Sequence, residues 1–326
     1  MISIVKGLNW RLRQWRHRAV ARGVLETRPV VPSDDGVILF SMIGTRVLLP
    51  FLVAAKSLRG GLGRGRFVVL DDGTLTAADR AALAVHLGDP EIRSVAAVDT
   101  GRCPRGGTWE RLLTILDLRA NHYVIQFDSD TVTCGPLPEV AAAIESGRSF
   151  TLRGEAGATL MPIAPFAHWR RAKSEFRRGH VQDTIETRID GVRIPGLADA
   201  HYVRGCSGFA GFAPSGGGRA LAEAFSAEAE RLVGGERWRE WGSEQVTSNF
   251  VIANEADPLL LPYDRYFNFW NEGLPEGRCF VHFIGTWRFA GGAYIGETRA
   301  AIERLHRAPA SGPRFAELRP AASSSP

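Results

Sequence analysis

The sequence predicts an α/β protein: a mostly parallel sheet with helices on both faces, followed by a less regular half. Three observations carry this. Short apolar runs alternate with stretches of helical periodicity through the first half. Glycines punctuate the joints, at Gly60–Gly65 and Gly73. Acidic pairs stand at the ends of two apolar runs, Asp71–Asp72 and Asp128/Asp130, the edge where such sheets gather ligands.

In chain order, residues 1–28 read as a basic amphipathic helix. Before Glu26 the chain carries Lys6, Arg11, Arg13, Arg16, Arg18 and Arg22 and no acid, against a net charge of +5 overall, so the remainder is close to neutral. Val5, Leu8, Leu12, Trp15 and Ala19 recur at steps of three and four and make one apolar stripe. Such a segment suits a membrane surface or a docking partner, or packing on its own domain. Nucleic acid is not expected, because no basic and aromatic reader motif appears and the rest of the surface has no excess positive charge.

The first half then offers strands at Val37–Met42, Arg66–Leu70, Ser94–Val98 and Tyr123–Phe127. Helices at Arg46–Leu58, Ala77–Leu87 and Trp109–Arg119 alternate with them. The second half has a basic helical stretch at Pro165–His180, where Arg170, Arg171, Lys173, Arg177 and Arg178 face only Glu175. A loop-rich segment runs to Arg204, followed by "CSGFAGF", a helix at Arg219–Val233 and another from Ser243. Strands are expected at Leu259–Leu261 and Cys279–Phe283. These define one domain over 29–306, divided near 136. Residues 307–326, rich in Ala, Pro and Ser, read as a disordered tail.

An apolar content of 44% supplies a core. No apolar run is long enough to span a bilayer, and the start "MISIVKGLNWRLRQW" lacks a secretory pattern. Cys103, Cys134, Cys206 and Cys279 form no CxxC pair, so reduced thiols and a cytoplasmic location, at the inner membrane surface if the first helix docks there, are expected.

The chemistry concentrates in "YVIQFDSDTV". Two carboxylates one residue apart at the end of a buried strand repel each other and lose solvation. Either they face water or a cation sits between them, and hard carboxylate oxygens suit Mg²⁺ or Mn²⁺. "LDDGTL" at Leu70–Leu75 invites comparison with haloacid-dehalogenase-type phosphatases, but the nucleophile's place falls on Leu70, which cannot attack phosphorus.

The stretch "WERLLTILDLRANHYVIQFDSDTV" resembles the donor-binding signature of GT-A fold glycosyltransferases, particularly glycosyltransferase family 8. Further on, "CSGFAGF", "SEQVTSN", "LPYDRYFNFW" and "HFIGTWR" resemble that family's later elements, in the family's order. The resemblance implies a Rossmann-like GT-A fold and a metal-dependent, retaining hexosyl transfer from a nucleotide diphosphate sugar, UDP preferred, to a glycan or lipid-linked acceptor; the basic Pro165–His180 stretch suits an anionic acceptor or, equally, a solvated helix face. On this basis 29–136 is the nucleotide-binding half and 137–306 the acceptor half. Asp130 would bind Mn²⁺ or Mg²⁺, Asp128 the metal or the donor ribose, and His282 would be the third protein ligand. Glu244 and Gln245 would face the donor sugar as catalytic residues. Arg111, Ser129, Gly285 and Arg288 would contact the donor, with Arg288 at the diphosphate. The turn after the first strand reads "SMIGT" and lacks the family's base-reading Asp, which leaves Ser41, Asp71 and Asp72 for the base. Cys206 stands where the family has Asn, and Arg288 where it has Lys.

The chemistry is coherent on its own terms. Breaking a sugar–diphosphate bond leaves negative charge on the departing phosphate, which a divalent cation with open positions stabilises. Gln245 offers a carbonyl to a developing oxocarbenium ion, while Glu244 could instead act as a base. Each residue also has a plainer role: His282 as a core histidine, Glu244 and Gln245 as helix caps, Arg111 paired with Glu110 or Asp117. A nucleotidyltransferase using the same acidic pair, or a GT-A-like binding protein without catalysis, are the rival functions.

Overall fold

The computed structural model describes residues 2–173 and 179–308, with side chains from Trp10 onward. The side chains of Val5, Lys6 and Leu8, the basic positions Arg177 and Arg178 with Glu175, and the tail from 309 lie outside what is described. The strands in chain order are β1 (Val37–Ile43), β2 (Arg66–Asp71), β3 (Glu91–Ser94), β4 (Tyr123–Phe127), β5 (Thr131–Thr133), β6 (Phe150–Arg153), β7 (Met161–Pro162), β8 (His201–Tyr202), β9 (Gly205–Phe212), β10 (Leu259–Leu260), β11 (Tyr266–Phe269) and β12 (Phe280–Phe283).

A seven-stranded sheet runs β10-β6-β9-β4-β1-β2-β3. The β1·β2, β1·β4, β2·β3 and β10·β6 pairs are parallel, and β9 lies antiparallel between β4 and β6. Strands from both sides of residue 136 therefore share one sheet. Side chains alternate between its faces. Val37, Leu39, Phe67, Val69 and Ile125 enter one core, while Ile38, Phe40, Val68, Leu70 and Val124 enter the other, the pattern of a sheet covered twice. The chain runs outward from β1 to β3, then returns to place β4 on β1's other side. That reversal makes a crevice beyond the carboxyl ends of β1 and β4, and Asp128 follows β4 directly.

The connecting helices are Leu48–Leu62, Ala77–Leu87 and Trp109–Leu118. The second is fixed at both ends: Thr76 and Asp79 form a capping box, and Gly88 closes it at φ 72°. The third strand forms at Glu91–Ser94, ahead of the expected Ser94–Val98, whose residues Val95–Ala97 make a 3₁₀ turn capped by the Ser94 hydroxyl. The expected Pro165–His180 helix is also corrected. It spans Ile163–Ala172, and a second helix covers Val181–Glu186. Arg170 is buried in ion pairs with Asp183 and Glu186, Arg171 pairs with Asp190 and Lys173 with Glu155, so these cations are already neutralised and give no support to an anionic acceptor.

The N-terminal helix, Ile2–Ala21, lies against the helix Ala293–Arg307. His17 is its buried contact, stacked on Tyr294 at 3.7 Å between centroids and bonded through Nε2 to the Thr298 hydroxyl at 2.9 Å. No helix among the described residues is long and apolar enough to cross a membrane.

Burial, and next the charge of Arg288, lower the His17 pKa from 6.5 to about 4. A base whose pKa is depressed by folding contributes stability above its unfolded pKa and loses it as pH falls through the folded one. Unfolding midpoints of the wild type and His17→Gln, compared from pH 7 to 4, should therefore converge as pH drops through 6.5 toward 4, by about 3 kcal/mol at most. A constant difference across that window would mean that His17 is not held neutral.

Candidate functional site

The site is assembled by strand register. β5 begins one residue after Asp130 and pairs antiparallel with β12, setting His282 opposite Thr131. β11 lies parallel on β12's other side and sets Asn268 beside His282. The Asp128–Asp130 loop is clamped by the backbone. Asp128 N–H donates to Gly208 O at 2.9 Å, Phe283 N–H to Asp130 O at 2.9 Å, and the Thr131 hydroxyl to Asp128 O at 2.8 Å. The Tyr294 hydroxyl donates to Ser129 O at 3.3 Å. This leaves the two aspartate side chains aimed at the imidazole.

His282 Nε2 lies 3.3 Å from Asp130 Oδ1 and 3.8 Å from Asp128 Oδ2. One ligand atom from each of the three residues falls within 4.8 Å of the others. The other ring nitrogen, Nδ1, faces Asn268 Oδ1 at 2.9 Å, and the Asn268 amide nitrogen donates to Arg153 O at 2.9 Å. That orientation leaves an acceptor against Nδ1, so Nδ1 carries a proton and Nε2 is free to ligate. A neutral Nε2 lone pair facing two carboxylates is repulsive unless a cation or a proton lies between them. The donor set, two carboxylates and one imidazole with its outer nitrogen anchored, fits Mn²⁺ or Mg²⁺. Burial disfavours the imidazolium, but Cys206 and Asp130 outweigh it and raise the His282 pKa. Burial likewise disfavours the Asp130 carboxylate, and His282 with Arg288 more than offsets it, so the Asp130 pKa is lowered.

Two arginines complete the charge balance. Arg288 pairs with Asp130, and its Nε donates to Phe283 O at 3.1 Å. Arg111 is buried and spans Asp128 at 2.7 Å, the Ser207 hydroxyl at 3.1 Å and Glu244 at 3.0 Å. Neither Glu110 nor Asp117 is its partner: Glu110 accepts from Gly106 N–H, and Asp117 pairs with Arg219. Arg111 thus acts from behind, holding Asp128 and Glu244 in place. Burial raises the Glu244 pKa despite Arg111, and Glu244 is enclosed by Arg111 and Thr108. Gln245 is half-buried. Its carbonyl accepts from Ser207 N–H and hydroxyl at 3.3 Å each, and its amide donates to Gln182 at 3.1 Å.

The remaining candidates lie on the same sheet edge but do not all join the cluster. Asp71 is buried, with its oxygens taken by Gly73 N–H, Leu75 N–H and Arg80. Asp72 is exposed and accepts from Thr74. Ser41 is buried in β1 with an unpartnered hydroxyl. Gly285 opens the 3₁₀ turn that leads to Arg288, at φ 48°.

Three contributors escaped sequence reasoning. Asn268 fixes the His282 tautomer, and "LPYDRYFNFW" held it in plain view. Thr108 takes a left-handed φ of 76° and donates to Glu244 at 3.0 Å; a β-branched residue in that region marks a strained, over-determined spot. Gly208 leaves room for the imidazole, because a Cβ there would stand 2.3 Å from His282 Cε1 and 2.5 Å from Nδ1.

No family model matches this sequence, and no curated protein matches it. Solved structures do. The glycosyltransferase GlyE of Streptococcus pneumoniae TIGR4 covers 84% of this chain at 10% identity and TM-score 0.52. The galactosyltransferase LgtC, solved with donor and acceptor sugar analogues, covers 84% at 13% identity and TM-score 0.48. The bifunctional glycosyltransferase WbbM covers 85% at 12% identity and TM-score 0.48. The chain spans 62% of GlyE, 98% of LgtC and 53% of WbbM. At 10% identity the likeness to GlyE is one of fold, a mixed α/β fold of the GT-A glycosyltransferase kind.

Gly208→Ala should displace the His282 ring, weaken Mn²⁺ binding in a titration and destabilise the fold by about 1–3 kcal/mol of overpacking. Unaltered Mn²⁺ affinity would show that Gly208 does not set the ring's position. Arg111→Met should cost about 3 kcal/mol or more, since it strands Glu244 buried and unpaired. Adding Glu244→Gln should recover most of that loss in denaturant unfolding; no recovery would contradict the pairing.

Proposed function

We propose that the protein is a metal-dependent glycosyltransferase that moves a sugar from a nucleoside diphosphate donor, UDP preferred, to a glycan or lipid-linked acceptor. The observation that carries this is the Asp128–Asp130–His282 cluster, with His282 held in the ligating tautomer, at the crevice of a GT-A sheet. The donor's base and ribose would lie toward Ser41, Asp71 and Asp72, and of the two acids Asp72 has the exposed carboxylate.

Mn²⁺ or Mg²⁺ held by Asp128, Asp130 and His282 would bind the donor diphosphate and stabilise the charge left on it when the glycosidic bond breaks. The chain's own residues do the rest. Arg288, paired with Asp130, would donate charge-assisted hydrogen bonds to the donor diphosphate. The left-handed Gly285 lets the backbone come close to phosphate oxygens, with Ser129 on the facing loop. Arg111 holds the Asp128 carboxylate in place. Gln245, locked by Ser207 and Gln182, would present its amide to the sugar and orient the acceptor. Glu244, enclosed by Arg111 and Thr108, is better suited to holding Arg111 than to acting as a base, which favours the retaining outcome that the family resemblance implies.

The test is linked binding. A nucleoside diphosphate should raise the melting temperature only with Mn²⁺ or Mg²⁺ present, by an amount equivalent to about 2.7 kcal/mol at a hundred times Kd, and a nucleoside triphosphate should not be turned over. Equal shifts with and without chelator would remove the metal from the mechanism. His282→Ala and Asp130→Asn should abolish sugar-nucleotide turnover while melting cooperatively; retained metal-dependent turnover in either would overturn the site.

A further inference from the structure

The N-terminal helix has two faces, and the one the sequence marks as apolar is not the one that packs. At about 100° per residue, His17 and Ala21 point together, and both are buried, with Trp10 on the same side in edge contact with Phe289 at 5.3 Å. Leu12, Trp15 and Ala19 lie about 180° away by the same spacing and are all exposed, Trp15 at 67% and Leu12 at 45%. Arg11 and Arg18 flank this stripe on one side, Arg13 and Arg16 on the other, and Arg22 follows the helix. All five are exposed, and none is in an ion pair among the described residues. A solvated helix face has no reason to keep a tryptophan and a leucine at its centre with arginines on both rims.

We propose that this outward face docks on an anionic lipid bilayer. An apolar centre with basic rims matches the section of an interfacial helix: Trp15 and Leu12 enter the headgroup boundary, while the arginines reach outward to lipid phosphates. A second copy of the chain is a poor occupant, since it would bring like-charged arginines to the same contact. The inward face links the docked helix to the site. His17 stacks on Tyr294, whose hydroxyl bonds to Ser129 O in the aspartate loop, and Trp10 touches Phe289 beside Arg288. A lipid-borne acceptor would thus be presented near the crevice, a consequence that rests on the transfer function proposed above; the docking itself does not.

The experiment uses the full chain with vesicles of phosphatidylcholine alone or with about a third phosphatidylglycerol. Co-sedimentation should occur with the anionic vesicles, fall with added salt and be absent with phosphatidylcholine. Leu12→Ser with Trp15→Ser, and separately Arg11→Gln with Arg13→Gln and Arg16→Gln, should each weaken binding about ten-fold or more, with melting temperature and metal-dependent nucleotide binding unchanged. No binding by the wild type, or binding by both variants as strong as the wild type's, overturns the proposal. So does a large drop in melting temperature for the Leu12/Trp15 variant, which would mean that the face is already packed. A concentration-dependent dimer in sedimentation that dissolves in that variant would assign the face to a second copy instead.

Discussion

Two carboxylates at the end of one strand can share a crevice only if positive charge is brought to them, and much of the molecule is arranged to deliver it. Arg111 reaches Asp128 from behind, Arg288 pairs with Asp130, and His282 faces both. Each is supplied by a different element: Arg111 by the Trp109–Leu118 helix, His282 by β12 and Arg288 by the turn that Gly285 opens. Removing one cation leaves a buried or half-buried acid uncompensated, which is why these side chains hold fixed positions. The imidazole is the adjustable member. With Nδ1 tied to Asn268, its Nε2 meets the carboxylates either as a protonated ring or across a metal ion.

Much of the first half was legible because local signals agreed. Val37–Ile43, Arg66–Asp71 and Tyr123–Phe127 are short β-branched and aromatic runs with glycine or helix signals on both sides. The acidic pair and His282 were legible as chemistry. What failed was tertiary. β5 has three residues and β7 two, lengths at which periodicity says nothing, and they exist because partner strands hold them. Ser94–Val98 reads as a strand by composition, yet only Glu91–Ser94 lies alongside β2. The family resemblance implied a donor contact for Arg111; what the sequence did not disclose is that its guanidinium also joins Glu244 to Asp128.

The N-terminal helix shows the same division between pattern and context. Its stripe of Leu12, Trp15 and Ala19 invites burial, yet the domain is met by His17 and Ala21, small or polar residues that suit the aromatic surface of Phe289 and Tyr294. Periodicity marked an apolar stripe and could not say what it was for. That question belongs to the surroundings: an aromatic wall on one side, unpaired arginines on the other.

The central claim is that His282 Nε2 and the two aspartates meet one divalent cation. Pulsed electron paramagnetic resonance of the Mn²⁺-loaded protein reads this directly, through modulation from a ligated imidazole nitrogen. The account expects one such nitrogen in the wild type and none in His282→Ala, with Mn²⁺ bound more weakly. Mn²⁺ bound without nitrogen coupling, or coupling that survives the substitution, would contradict it.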